Sequence, residues 1–140
     1  MLLPRESKMA ERRKKSILVV DDDDQFNEMM RATLTRLGYN AITCGSPHDA
    51  LQLLSKAPEL FDAAIVDAIM PEMKGTELAI EFLRIKDDMP VILVTGYGNL
   101  IPMEWVGAAG IRAALTKPVL REEIKEALSN ALVKTDRPVS

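Results

Sequence analysis

Residues 16–24 read SILVVDDDD, an apolar run that ends in four consecutive aspartates. A short continuous apolar run of this kind is typical of a strand that is buried on both faces of a sheet. Apolar residues then recur at helical spacing from Phe26 to Leu37, and Gly38 follows as a helix stop. The segment therefore predicts a buried strand, an acidic loop and an amphipathic helix in succession.

The same alternation recurs along the rest of the chain. Further strands are predicted at residues 41–43, 63–66, 91–94 and 111–115. Further helices are predicted from Ser46-Pro47 to Ser55, around Leu78, Phe82 and Ile85, at 101–109 and at 120–133. Five strand–helix units in alternation predict an α/β fold, a doubly wound five-stranded parallel sheet with helices on both faces.

Length and composition favour one soluble domain. The chain has 140 residues, of which 47% are apolar and 28% charged. This balance is typical of a globular protein with a hydrophobic core. Neither a membrane span nor a secretory signal is visible in the sequence. Cys44 is the single cysteine, which excludes an internal disulfide and fits a reducing cytoplasm. We therefore expect a cytoplasmic location.

Charge is distributed unevenly along the chain. Residues 1–15 carry +4, which leaves −7 for the remainder of a chain whose total charge is −3. A basic segment can bind nucleic acid or anionic lipid, but a solvated tail or linker is the interpretation we favour. The acidic remainder argues against nucleic-acid binding by the folded domain. We expect a tail at 1–15, the domain at 16–133 and a second tail at 134–140.

Polar side chains follow the predicted strands at the points where they end. The first strand ends in four aspartates, and Asp67, Thr95 and Lys117 follow the third, fourth and fifth strands. Ligands of parallel sheets bind outside these carboxyl ends. Crowded carboxylates repel one another unless a cation lies among them. Hard oxygen ligands without histidine or cysteine favour Mg²⁺, with Mn²⁺ as a substitute.

These groups are suited to phosphoryl transfer. An aspartate carboxylate can act as the nucleophile, while a metal, an ammonium group and a hydroxyl neutralise the charge of the transferred group. Neither of the two common glycine-rich phosphate-binding motifs is present. Nucleotide binding is therefore not indicated.

Four segments together carry a family resemblance. They are ILVVDD at 17–22, VDAIMP at 66–71 with Gly75, LVTG at 93–96 and LTKP at 115–118. Their order and spacing resemble the receiver domain of two-component response regulators, the flavodoxin-like class that includes CheY. The resemblance covers about residues 16–133, and the four segments in combination are highly specific.

The resemblance implies a role for each site residue. Asp67 would be the phosphoacceptor. Magnesium would be held by the Asp21, Asp22 and Asp67 carboxylates and the Ile69 carbonyl. The phosphoryl group would be contacted by Ala68, Thr95, Gly96 and Lys117, and the Lys117–Pro118 bond would be cis.

The resemblance also implies how the chain functions. The phosphoryl donor would be a sensor histidine kinase or a histidine phosphotransfer protein, and output would pass to a downstream protein target or relay partner. The domain would be a signalling module that assists only its own phosphotransfer and dephosphorylation, rather than an enzyme. With only residues 134–140 after the last helix, a stand-alone regulator and a receiver from a hybrid kinase look alike.

The sequence departs from the family pattern in two respects. Ala114 occupies the position, three residues before the lysine, where most receivers have an aromatic ring that couples phosphorylation to output. Ile69 and Tyr97 stand where fast-hydrolysing members carry polar groups that orient the attacking water. We therefore predict that phosphorylated Asp67 is comparatively long-lived.

Two alternatives remain open at this stage. Asp21-x-Asp23 after an apolar strand is also similar to the nucleophile loop of haloacid-dehalogenase-type phosphatases, although the chain lacks a downstream acidic pair and a cap insertion. Alternatively, the domain keeps the fold as a binding module without phosphorylation. Acetyl phosphate labelling of Asp67→Asn and Asp21→Asn separates these interpretations.

Overall fold

In a computed structural model, the described residues are 14–96 and 102–135. The strands are β1 (Ser16–Val20), β2 (Asn40–Cys44), β3 (Ala63–Asp67), β4 (Val91–Thr95) and β5 (Ile111–Thr116). The helices are α1 (Asp24–Leu37), α2 (Pro47–Lys56), α3 (Gly75–Ile85) and α4 (Arg121–Thr135), with short 3₁₀ turns at Pro58–Leu60 and Met103–Trp105. The predicted tails at 1–15 and 134–140 lie almost entirely outside the described residues.

The five strands form one parallel sheet in the order β2-β1-β3-β4-β5. The chain moves outward from β1 to β2, and then crosses back to build β3, β4 and β5 on the other side. The order therefore reverses between β1 and β3, which is where ligands of doubly wound sheets bind. The predicted fold class is confirmed.

Helices cover both faces of the sheet because strand side chains alternate between the two sides. Leu18 and Val20 belong to the core under α2 and α3. Ile17 and Val19 belong to the core under α1 and α4. All five residues of β1 are buried, which explains why the four residues after Ser16 are continuously apolar and do not alternate with polar ones.

The ends of the first two helices follow from their capping residues. The Asp23 side chain accepts hydrogen bonds from the first-turn amides of α1, and Gly38 ends that helix with a φ of +94°. Ser46 caps α2 by accepting from the Asp49 amide at 3.1 Å, with Pro47 as the first helical residue. These helix boundaries agree with the predicted ones.

The helix predicted at 101–109 was wrong. Ile101 lies outside the described residues, and a single 3₁₀ turn at Met103–Trp105 is followed by turns through Gly110. Three residues here have positive φ, namely Gly107, Ala109 and Gly110, and an α-helix cannot continue through such a backbone. The last helix, predicted at 120–133, begins at Arg121, so Leu120 precedes it and is 64% exposed.

Candidate functional site

Three carboxylates converge where β1 and β3 end side by side. Asp21, Asp22 and Asp67 each offer a carboxylate oxygen, and these oxygens lie within 4.8 Å of one another. Asp21 is fully buried, Asp67 is 8% exposed, and Asp22 is exposed. The structure thus brings together the three acidic side chains that the sequence predicts as metal ligands.

Lys117 reaches this cluster from the end of β5. Its Nζ donates to Asp21 Oδ2 at 2.9 Å and lies 4.3 Å from the centroid of the Phe26 ring. Its backbone amide donates to the Thr95 carbonyl at 2.8 Å, which fixes the loop after β5 to the end of β4. The Lys117–Pro118 peptide bond is cis, as the resemblance implies.

Thr95 ends β4 with a buried hydroxyl. Its Oγ1 has no hydrogen-bond partner within the described part of the chain, and the residue is buried. A buried hydroxyl without a partner is unfavourable by about 1–3 kcal/mol. This group is therefore well suited to accept or donate a hydrogen bond when an oxygen-rich group binds beside it.

The loop after β3 supplies Ala68 and Ile69, and the remaining predicted residue, Gly96, follows β4. The Ile69 amide donates to Asp67 Oδ1 at 3.4 Å, while its side chain is 58% exposed and offers no polar group. The Ala68 amide donates a hydrogen bond to the Val94 carbonyl at 2.8 Å. This amide could contact a phosphoryl group only by sharing its hydrogen between that carbonyl and a phosphoryl oxygen. Gly96 directly follows β4 and is half-buried.

Gly75 keeps the start of α3 close to the site. A Cβ at this position would lie 2.5 Å from the Asp67 carbonyl oxygen and 3.0 Å from Ala68 Cα. The Gly75 amide donates to the Ala68 carbonyl at 2.8 Å. The absence of a side chain therefore allows α3 to pack directly against the backbone of the loop after β3.

Electrostatic repulsion within the site acts on Asp67. Burial, followed by the negative charge of Asp21, raises the pKa of Asp67 from 3.8 to about 6, although Lys117 opposes this rise. Three carboxylates and one ammonium group leave an excess of negative charge that a divalent cation would neutralise. All the side-chain donors are oxygens, so the residues present are suited to magnesium.

Sequence reasoning missed Asn27 as a support of the site. This buried side chain donates from Nδ2 to the Asp21 carbonyl at 2.9 Å and to the Cys44 carbonyl at 3.3 Å. It therefore joins the ends of β1 and β2 directly behind the acidic cluster. A polar residue on the inner face of an amphipathic helix is the signal that points to it, because such a group must find partners.

Comparison with known proteins identifies the class. The family model described as the response regulator receiver domain matches residues 17–129, and the chain belongs to this family. Relatives include the transcriptional regulatory protein GlrR of Escherichia coli, 33% identical over 83% of this chain, and the two-component response regulator ARR11 of Arabidopsis thaliana, 31% identical over 78% of it. The chain covers only 26% and 21% of the lengths of these two proteins.

Solved structures agree with this assignment. A response regulator receiver domain protein from Clostridium thermocellum has a TM-score of 0.80 at 27% identity, covering 87% of this chain and 97% of its own. A CheY-like receiver domain protein from Methanospirillum hungatei has a TM-score of 0.78 at 29% identity, covering 89% and 98%. The predicted receiver identity is therefore confirmed, and the chain is a two-component signalling domain. None of the helices in the described ranges is long and apolar enough to cross a membrane.

Proposed function

We propose that Asp67 accepts a phosphoryl group from a phosphohistidine of a sensor histidine kinase or a histidine phosphotransfer protein. The observation that carries this proposal is the convergence of three acidic side chains with the Lys117 ammonium group, bound to Asp21, at the carboxyl edge of the sheet. The receiver domain would extend over 16–133 and act in the cytoplasm. Its output would pass through contacts with a protein target or relay partner.

In the proposed reaction, a carboxylate oxygen of Asp67 attacks phosphorus. The new O–P bond forms as the N–P bond of the phosphohistidine breaks, and its electron pair returns to the imidazole of the donor. Lys117 and the Thr95 hydroxyl, which has no hydrogen-bond partner among the described residues, would stabilise the negative oxygens of the transferred group. The domain assists this single transfer to itself and turns over no separate substrate.

A magnesium ion would be held by the Asp21, Asp22 and Asp67 carboxylates together with the Ile69 carbonyl. When bound, it would neutralise negative charge on the carboxylates and on the phosphoryl oxygens. The donor set supports this role, because the carboxylate oxygens lie within 4.8 Å of one another. Manganese has the same preference for oxygen ligands and would substitute for it.

Acetyl phosphate labelling tests the proposal directly. In the presence of Mg²⁺ we expect intact-protein mass spectrometry to show one added phosphoryl group that is stable in acid and labile in base. Asp67→Asn should abolish the label, and EDTA should suppress it. Asp87→Asn, which removes an exposed carboxylate from the loop before β4, is the matched control and should label like the wild type.

The same experiment separates the two alternatives. Asp21 is fully buried and is engaged by Lys117 and by the Asp23 amide, which disfavours it as a nucleophile. Under the phosphatase alternative, Asp21→Asn would remove the covalent label while Asp67→Asn would keep it. A wild-type protein that binds Mg²⁺ but never becomes labelled, from acetyl phosphate or from a phosphorylated kinase, would support a binding module instead.

A further inference from the structure

The Lys117 ammonium group lies between a carboxylate and an aromatic ring. Its Nζ is 2.9 Å from Asp21 Oδ2 and 4.3 Å from the centroid of the Phe26 ring. This distance is well within the range of an attractive cation–π contact. We infer that Phe26 is a positioning residue, which holds the Lys117 ammonium group in the site by a contact that leaves its charge available.

The ring is fixed in place by its surroundings. Phe26 stands in the first turn of α1, where its amide donates to the capping Asp23 side chain at 3.4 Å. Its side chain is 7% exposed and belongs to the core between the sheet and helices α1 and α4. Because packing already fixes the ring, keeping one of its faces toward Lys117 requires no further loss of side-chain conformational entropy.

The two partners of Lys117 differ in what they do to its charge. A carboxylate attracts an ammonium group and also cancels its field, whereas the face of an uncharged ring attracts the cation and leaves it positive. Asp21 is also one of the three carboxylates suited to a metal ion. With a metal ion bound, the Asp21 carboxylate would be shared between two cations and would hold the Lys117 ammonium group less firmly. The contact of that ammonium group with the Phe26 ring would not be weakened in this way.

This inference rests on the proposed function, in which Lys117 faces the phosphoryl group on Asp67. Loss of the ring should leave the ammonium group free to occupy other rotamers, and the transfer step should then slow. Metal binding should be unaffected, because the Phe26 side chain supplies no oxygen ligand. The effect is therefore expected in the rate constant at saturating acetyl phosphate and not in the affinity for Mg²⁺.

The first experiment compares Phe26→Leu, Phe26→Tyr and Phe82→Leu. Phe82 is fully buried on the opposite face of the sheet, so its replacement controls for lost core packing. We expect Phe26→Leu to slow phosphorylation at saturating acetyl phosphate by about threefold to tenfold, while Phe26→Tyr and Phe82→Leu remain near the wild-type rate. If Phe26→Leu does not fold, Phe26→Met fills a similar volume without a ring and takes its place.

A double-mutant cycle with Lys117→Met shows whether Phe26 acts through Lys117. If it does, the substitution of Phe26 has no further effect once the ammonium group is gone. Equal slowing by Phe26→Leu with and without Lys117, a parallel loss of Mg²⁺ affinity, or an unchanged rate in Phe26→Leu would each overturn the inference. If Lys117→Met itself leaves the rate unchanged, the role proposed for Lys117 fails, and the inference that depends on it fails as well.

An independent readout uses the protein without metal or phosphodonor. Protons on the ε-carbon of Lys117 near the face of the Phe26 ring should show an upfield ring-current shift in NMR spectra. The shift should persist in Phe26→Tyr and disappear in Phe26→Leu. Its absence from the wild-type spectrum would show that the ammonium group does not lie over the ring in solution, and would overturn the inference independently of any phosphorylation assay.

Discussion

Asp67→Asn should stabilise the fold in the absence of a divalent cation. Burial and the neighbouring Asp21 raise the Asp67 pKa from 3.8 to about 6. A carboxyl with a higher pKa in the folded than in the unfolded state favours folding when protonated, and this contribution is lost as the pH rises through 6. The loss amounts to about 3 kcal/mol at pH 7.5, with little screening because Asp67 is 8% exposed.

Urea unfolding followed by far-ultraviolet circular dichroism in EDTA measures this effect. The variant should exceed the wild type in unfolding free energy by about 1 kcal/mol at pH 4.5 and about 3 kcal/mol at pH 7.5, since the difference follows ionisation of Asp67. Asp87→Asn removes an exposed carboxylate and should change stability by less than about 0.5 kcal/mol at either pH. Magnesium at a hundred times its dissociation constant should stabilise the wild type by about 2.7 kcal/mol and the variant by less.

The refuting result is a variant no more stable than the wild type in EDTA at pH 7.5. A difference between variant and wild type that stays constant from pH 4.5 to 7.5 would refute the reasoning equally well. Either outcome would mean that the folded protein does not disfavour the Asp67 carboxylate. A cation among the three aspartates would then not be needed to offset repulsion at Asp67.

Three further outcomes are expected. Gly75→Ala should destabilise the fold by about 1–3 kcal/mol in urea unfolding, because its Cβ would lie 2.5 Å from the Asp67 carbonyl oxygen; a neutral result would mean that α3 shifts freely. Ile69→Asn should shorten the lifetime of the acyl phosphate severalfold, since it adds a polar group that can orient water. A wild-type protein that loses its phosphoryl group within seconds, at a rate that the substitution does not change, would contradict this. Alkylation of Cys44 at pH 8 should be at least about a hundredfold slower in the folded protein than in urea, because burial and Asp49 raise its pKa to about 11; equal rates would contradict it.

The sheet was predictable because strand and helix signals agree along most of the chain. The apolar runs ending at Val20 and Val94 are short, continuous and followed by polar residues, so their ends fix the edge where ligands bind. The segment before β5 was not predictable in this way. Its apolar spacing favours a helix, but Gly107, Ala109 and Gly110 adopt positive φ, and tertiary context overrides the local pattern there.

The site was predictable in its charged members but not in its supporting ones. Asp67 and Lys117 stand out because an ionisable residue at the carboxyl end of a strand in a parallel sheet lies where ligands bind. Asn27 gives a weaker signal, as a polar residue on the inner face of a helix, and Phe26 gives none, since an apolar residue there is ordinary core. Their roles depend on which backbone carbonyls and which ammonium group the fold brings within reach, and only the three-dimensional arrangement supplies that information.

Asn27 and Lys117 explain how the fold keeps the unfavourable cluster of negative charges together. Like charges brought together in a buried site would be expected to move apart. Asn27 opposes this by fixing the Asp21 backbone to the end of β2, and Lys117 opposes it by pairing with the Asp21 carboxylate. Both contacts act on Asp21, so Asp67 remains the carboxylate on which the repulsion falls. A cation bound among the three aspartates would therefore relieve the repulsion at the residue proposed to react, and would also offset the negative charge that a phosphoryl group adds there.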